Sequence, residues 1–322
     1  NALCNDQVVN NRNGFSSVWR NRMTIQSLGY IGINSTDLSQ WQIYGTQVLG
    51  LQDVTDQYPS DNSLLLKMDE RPFRMVIQQS KVDSFGLCGW EATNQENMAD
   101  TVARLKAAGV TVTNASPELS QQRCVTELVM FSDPAGNQHE LYWGSVSNSK
   151  RMVSPVGVSG FVTGEMGLGH VILPAPNFDE TSAFYTDVLG FGLSDLMNIK
   201  FSDDPAEPNK RLWFMHCNQR HHTIGLFEMD FPAGCVHAMI EVESVNEVGL
   251  ANDRRIAQGV NLSGTLGRHT NDHMLSFYMR SPGNFDIEYG AEGRTIEDWE
   301  KFSVFESTVP SFWGHDFSVG QG

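Results

Sequence analysis

Cysteine is scarce in this chain: Cys4, Cys88, Cys124, Cys217 and Cys235 are scattered through 322 residues, odd in number and without a Cys-x-x-Cys pair. That fits a reduced cytoplasm without structural disulfides. No apolar run approaches the roughly 18 residues of a membrane span. Positive charge is also short, with 22 Lys and Arg against 38 Asp and Glu and a formal charge of −16. Nucleic acid and anionic membrane surfaces are therefore poor partners. No His-Glu-x-x-His string occurs, which removes the helical zinc-hydrolase pattern. Residues 1–22 are polar and lack the apolar centre of a signal peptide, so they read as a leader or tail. What remains is the composition of a globular protein, 40% hydrophobic and 19% charged, with length for two domains.

The chain repeats itself. Leu28-Gly-Tyr-Ile-Gly-Ile33 answers Leu168-Gly-His-Val-Ile-Leu173, and Thr46-Gln-Val-Leu-Gly-Leu51 answers Thr186-Asp-Val-Leu-Gly-Phe191, both at an offset of 140 residues. Between these strings, residues 37–48 and 179–188 read as amphipathic helices with Asp37 and Asp179 at their starts. Residues 97–108 and 247–258 read as helices ended by Gly109 and Gly259. Near the close of each half, residues 133–142 align with 281–289 and pair Glu140 with Glu288. The pattern predicts an α+β protein of two tandem domains, each made of two βαβββ modules. The expected boundaries are 23–150 for the first domain, 151–166 for a Pro- and Gly-containing linker, and 167–322 for the second.

The two copies differ in chemistry. Of nine histidines only His139 falls in the first half. Tyr30 stands where the second copy has His170, and the segment matching Val236–Val242 has no histidine. The second copy is therefore expected to carry the site. His170 and His237 lie in predicted strands, and alternation puts Asp286 and Glu288 on one face of another. Two imidazoles and a carboxylate form the 2-His-1-carboxylate set of non-haem Fe(II) oxygenases. Zinc enzymes use the same donors, so His170, His237 and Glu288 alone do not name the metal. Taken singly, a strand histidine is more often a satisfied core residue. His222, in Arg220-His-His-Thr223, sits at the mouth of an apolar strand and suits acid–base work. Its neighbour His221 reads as a solvated loop residue. His269, Asp272 and Tyr278 could bond substrate oxygens or orient ligands. His273 carries no assigned role, and Cys217 and Cys235 read as packing.

Several strings together resemble the type I extradiol dioxygenases of the vicinal oxygen chelate superfamily: Gly164-Glu-Met-Gly-Leu-Gly-His170, Phe184-Tyr-Thr-Asp-Val-Leu-Gly-Phe191, Arg220-His-His-Thr223, Val236-His-Ala-Met-Ile-Glu-Val242, Leu266-Gly-Arg-His-Thr-Asn-Asp-His273 and Phe285-Asp-Ile-Glu-Tyr-Gly290. The resemblance runs from about Met23 to Gly322. It implies that each pair of modules curls into an open barrel and that the first copy is degenerate, without metal. It further implies Fe(II) on His170, His237 and Glu288, with Mn(II) accepted by the same donors, and O₂-dependent cleavage of a catechol ring beside its two hydroxyls. His222 would handle protons, His269 and Tyr278 would meet substrate oxygens, and Asp272 would support them. Residues 306–320 are similar to members that cleave catecholic secosteroids. A catechol with a bulky 3-substituent, either 2,3-dihydroxybiphenyl or a secosteroid, is the expected substrate of a cytoplasmic homo-oligomer. A glyoxalase-like isomerase and a binding module of the same fold are the competing readings.

Overall fold

The structure, a computed structural model, describes residues 23–58, 62–201, 204 and 206–320. The expected leader at 1–22 lies outside them. Among the described residues, eight strands build the first sheet: β1 (Ile25–Ser35), β2 (Gln52–Asp53), β3 (Ser63–Lys67), β4 (Met75–Gln79), β5 (Ser84–Ala92), β6 (Thr113–Asn114), β7 (Glu127–Ser132) and β8 (Gln138–Trp143). Their spatial order is β2-β3-β4-β1-β5-β8-β7-β6. Ten build the second: β9 (Gly169–Pro174), β10 (Gly192–Ile199), β11 (Lys210–His216), β12 (Ile224–Phe227), β13 (His237–Glu241), β14 (Leu262–His269), β15 (Leu275–Arg280), β16 (Asp286–Ala291), β17 (Phe305–Ser307) and β18 (Ser311–Trp313). Their order is β17-β10-β11-β12-β9-β13-β16-β15-β14-β18. In each sheet the central pair, β1 with β5 and β9 with β13, is antiparallel, and each member has a parallel outer neighbour. This is the four-module βαβββ arrangement.

Strand β9 is buried at every position, Gly-His-Val-Ile-Leu-Pro, so one polar side chain in it must find a partner inside the protein. Asp37 caps the helix Leu38–Ile43 by accepting from the Ser39 amide at 2.9 Å. That helix runs into a wider turn at Tyr44–Val48, and Gly50 ends it with φ +80°. The matching helix, Phe178–Ala183, is preceded by Asn177, and Asp179 lies within its first turn rather than at its cap. The two longer helices start at Gln95 and Val245, each two residues before the expected start. A further short helix, Pro117–Gln122, enters after its Ser116 cap and interrupts the first copy between β6 and β7.

One core runs through both copies, with Trp41, Trp90, Phe191 and Phe285 among its buried rings. The two barrel interiors differ. In the first, Tyr30, Val54, Leu65, Phe73, Val76, Leu128 and Tyr142 form a packed cluster. In the second, Ile172, Met197, Phe214 and Phe227 cluster along one wall and leave a cavity of about 570 Å³. The chain closes this second barrel by itself. β17 pairs with β10 and β18 with β14, so residues 308–310 carry the strap between the two ends of the curled sheet.

Candidate active site

Three neighbouring strands supply the donors at the cavity floor. Register sets Met239 of β13 between His170 of β9 and Glu288 of β16. His237, two residues earlier, therefore shares their face. The His170 and His237 Nε2 atoms lie 3.1 Å apart. The Glu288 Oε2 atom is 3.1 Å from the first and 3.3 Å from the second. Edges of about 3 Å are what three donors span on one octahedral face with bonds near 2.1 Å. Two imidazole nitrogens and a carboxylate oxygen aimed at one point fit a divalent cation. A second group, His170 with His222 and Asp272, also converges among the described residues. Its His222 Nδ1 and Asp272 Oδ2 are 3.9 Å apart, and His222 Nδ1 already meets His221. The first group is the better cation seat.

Glu288 is 1% exposed. Burial pushes its carboxyl up, but hydrogen bonds from His170, His237 and His269 overcome this and hold it well below the usual carboxylate range. Its Oε1 accepts from Ser276 Oγ at 2.6 Å. Burial lowers His170 to about 4 in spite of Glu288. His269 is the exception: burial would lower it, and Glu288 with Asp272 raises it to about 9. Its Nδ1 lies 2.9 Å from the Pro310 carbonyl. A carbonyl only accepts, so that nitrogen carries a proton. Nε2 then faces the Tyr278 hydroxyl at 2.6 Å. Burial, with Glu288 and Asp272 nearby, keeps Tyr278 a phenol. Asp272 is pushed up to about 6 chiefly by burial. Burial, reinforced by His170 and His221, holds His222 well below 6.5 and so neutral. The cavity walls above these groups are apolar: Ile172, Met197, Leu212, Phe214, Phe227 and Phe317.

All seven residues singled out from the sequence, His170, His222, His237, His269, Asp272, Tyr278 and Glu288, line this one cavity. His221 is a correction. Expected in solvent, it is 0% exposed, beneath Phe302 and Phe305, with Nδ1 3.2 Å from His222 Nδ1. The segment that leads into the strap covers it, and nothing local in the sequence signals that cover. Sequence reasoning also passed over Ser276 and His315, which lies 3.2 Å from the Ser276 hydroxyl and stacks on His269. The available signal was strand alternation, which puts Ser276 on the same face as Tyr278. Asp286 shares the face of Glu288 as expected, but it pairs with Arg280 at 3.0 Å and accepts from Ser263.

The fold is that of the vicinal oxygen chelate proteins, and its donor set could hold a metal ion. Residues 28–79 match the family model described as Dihydroxybiphenyl dioxygenase BphC D1. Residues 167–289 match the Glyoxalase/Bleomycin resistance protein/Dioxygenase superfamily. An iron-dependent extradiol dioxygenase of Rhodococcus jostii is 46% identical over 92% of this chain and 99% of its own. A biphenyl-2,3-diol 1,2-dioxygenase of Metapseudomonas furukawaii is 41% identical over 91% of this chain and 94% of its own. The crystal structure of BphC, a halotolerant catechol dioxygenase, superposes with a TM-score of 0.84 at 34% identity, over 92% of this chain and 95% of that one. The chain belongs to the extradiol dioxygenases and is an enzyme of that class. The isomerase and the binding module are thereby set aside. No helix among the described residues is long and apolar enough to cross a membrane.

Proposed function

We propose that this extradiol dioxygenase holds one Fe(II) between His170, His237 and Glu288 and opens the ring of a catechol bearing a bulky apolar 3-substituent. The observation that carries this is the convergence of three donor atoms within 3.3 Å at the floor of an apolar cavity. When bound, the metal supplies a shared centre through which ring electrons reach O₂.

The chain supplies the rest. His222, neutral and buried, takes the proton of a catechol hydroxyl and later returns one. Tyr278 and His269, 2.6 Å apart, meet the substrate oxygens as a preset donor pair. Asp272, 3.9 Å from His222, favours the protonated form of that ring. The apolar walls exclude water and take up the substituent. A biphenyl-2,3-diol suits such walls, and the similarity to an enzyme named for that substrate supports the choice. The same reading has the enzyme act as a homo-oligomer in the cytoplasm, where its cysteines stay thiols.

The test is an anaerobic preparation, assayed for metal, reloaded with Fe(II), and mixed in air with 2,3-dihydroxybiphenyl or with a catecholic secosteroid. A yellow ring-fission product with about one O₂ consumed per catechol is expected, faster with the biphenyl. Faster turnover of the secosteroid would reassign the substrate. Restoration by Mn(II) but not Fe(II) would reassign the metal.

A further inference from the structure

His222 is held from behind by a second imidazole. The His221 and His222 Nδ1 atoms are 3.2 Å apart in a buried setting. Asp272 Oδ2 stands 3.9 Å from the same Nδ1, beyond hydrogen-bond reach, and the His170 ring lies against the His222 ring with centroids 4.1 Å apart. Two neutral imidazoles meeting nitrogen to nitrogen must share one proton between them. The position of that proton sets the tautomer of both rings together. With it on His222, Nε2 of that ring offers its lone pair to the cavity. With it on His221, the same Nε2 is a donor.

The surroundings fix the His221 ring. Its amide donates to the Arg294 carbonyl at 3.3 Å, its ring lies against Phe302 and Phe305, and its Nε2 is buried without a hydrogen-bond partner among the described residues. Arg220, its chain neighbour, is anchored to Glu241 and to the Val162 carbonyl. A ring so placed has one polar task, which is the contact with His222.

We propose that His221 is a positioning residue for ring cleavage: through the Nδ1–Nδ1 hydrogen bond it fixes the orientation of the His222 ring and keeps its Nε2 atom turned to the cavity. The inference rests on the reading of His222 as the proton-handling group.

Three variants of the Fe(II)-loaded full chain test it by steady-state kinetics with 2,3-dihydroxybiphenyl. His221→Phe keeps the packing and loses the nitrogen. His221→Asn puts an amide where Nδ1 stood, and His221→Gln puts one where Nε2 stood. We expect kcat to fall about 10- to 100-fold in the Phe and Gln variants, with KM and iron content near the parent values and most of kcat restored in the Asn variant. Equal losses in the Asn and Gln variants, or an unchanged kcat in the Phe variant, overturn the proposal. His222→Phe separates the two levels. If it retains kcat, the reading of His222 itself falls. If it loses kcat while His221→Phe does not, only the role of His221 falls. Should the Phe variant not fold, the Asn and Gln pair still decides.

Discussion

Glu288 presents its two oxygens to different neighbours. Oε2 faces the two imidazoles of the cation seat, and Oε1 accepts from Ser276 at 2.6 Å with His269 at 3.4 Å. Ser276 thus orients the carboxylate from outside the donor triangle. Its replacement by Ala costs about 1 kcal/mol of folding stability, the worth of one hydrogen bond. The larger expected effect is on metal: affinity should fall about 10- to 100-fold, read by competition with a chromophoric chelator. Unchanged affinity would mean that His269 alone fixes the carboxylate. The proposed donors were legible because each is a polar side chain set among apolar residues of a strand, and a buried polar group needs a partner. Ser276 was not, since a serine on a strand face carries no such cost when exposed. His221 shows the converse, a polar pair whose burial depends wholly on a distant segment.

That segment acts at the scale of elements. The stretch from Trp299 to Trp313 covers two buried histidines. Trp299 stacks on His216 with ring centroids 3.3 Å apart, and Phe302 and Phe305 pack on His221. His216 also bonds Ser194 at 2.8 Å, and Gly192 leaves room for its ring, since a Cβ there would lie 2.3 Å from it. Burial pushes both histidines down to about 3. Between that value and the unfolded value near 6.5 the folded protein binds fewer protons than the unfolded chain. The stability they contribute is therefore complete above about pH 6.5 and is lost as pH falls toward 3. The thermal midpoint should drop between pH 7.5 and pH 5, and it should drop less in His216→Phe, which keeps the stacking and cannot take a proton. Parallel pH profiles for the two proteins would refute the assignment. The strap escaped the sequence reading for a physical reason. Strands of three residues have too short a period to announce themselves, and their pairing partners lie about 45 to 110 residues away.

At the scale of the whole molecule, the two copies solve one electrostatic problem in different ways. The register that joins His170, Met239 and Glu288 joins Tyr30, Gly89 and Glu140 in the first copy. Leu87, two residues before Gly89, stands at the place of His237. Glu140 is 3% exposed, and a buried carboxylate needs a cation. The first copy supplies its own: Arg123 Nε and Nη2 donate to Glu140 at 2.8 and 3.0 Å, and the Tyr30 hydroxyl donates to the same group. The strings that revealed the duplication could not reveal this arginine, because Arg123 enters from the turn after Pro117–Gln122, an insertion with no counterpart in the second copy. The consequence can be measured. Stripping metal with a chelator should lower hydrogen-exchange protection in β9, β13 and β16, where three donors lose their shared cation, and leave β1, β5 and β8 unchanged. Arg123→Met should do the reverse, costing about 3–5 kcal/mol by stranding a buried carboxylate while the second copy still takes up one metal per chain. Equal loss of protection in both copies on metal removal would show that the core running through them couples the two sites, and that Arg123 does not make the first copy self-sufficient.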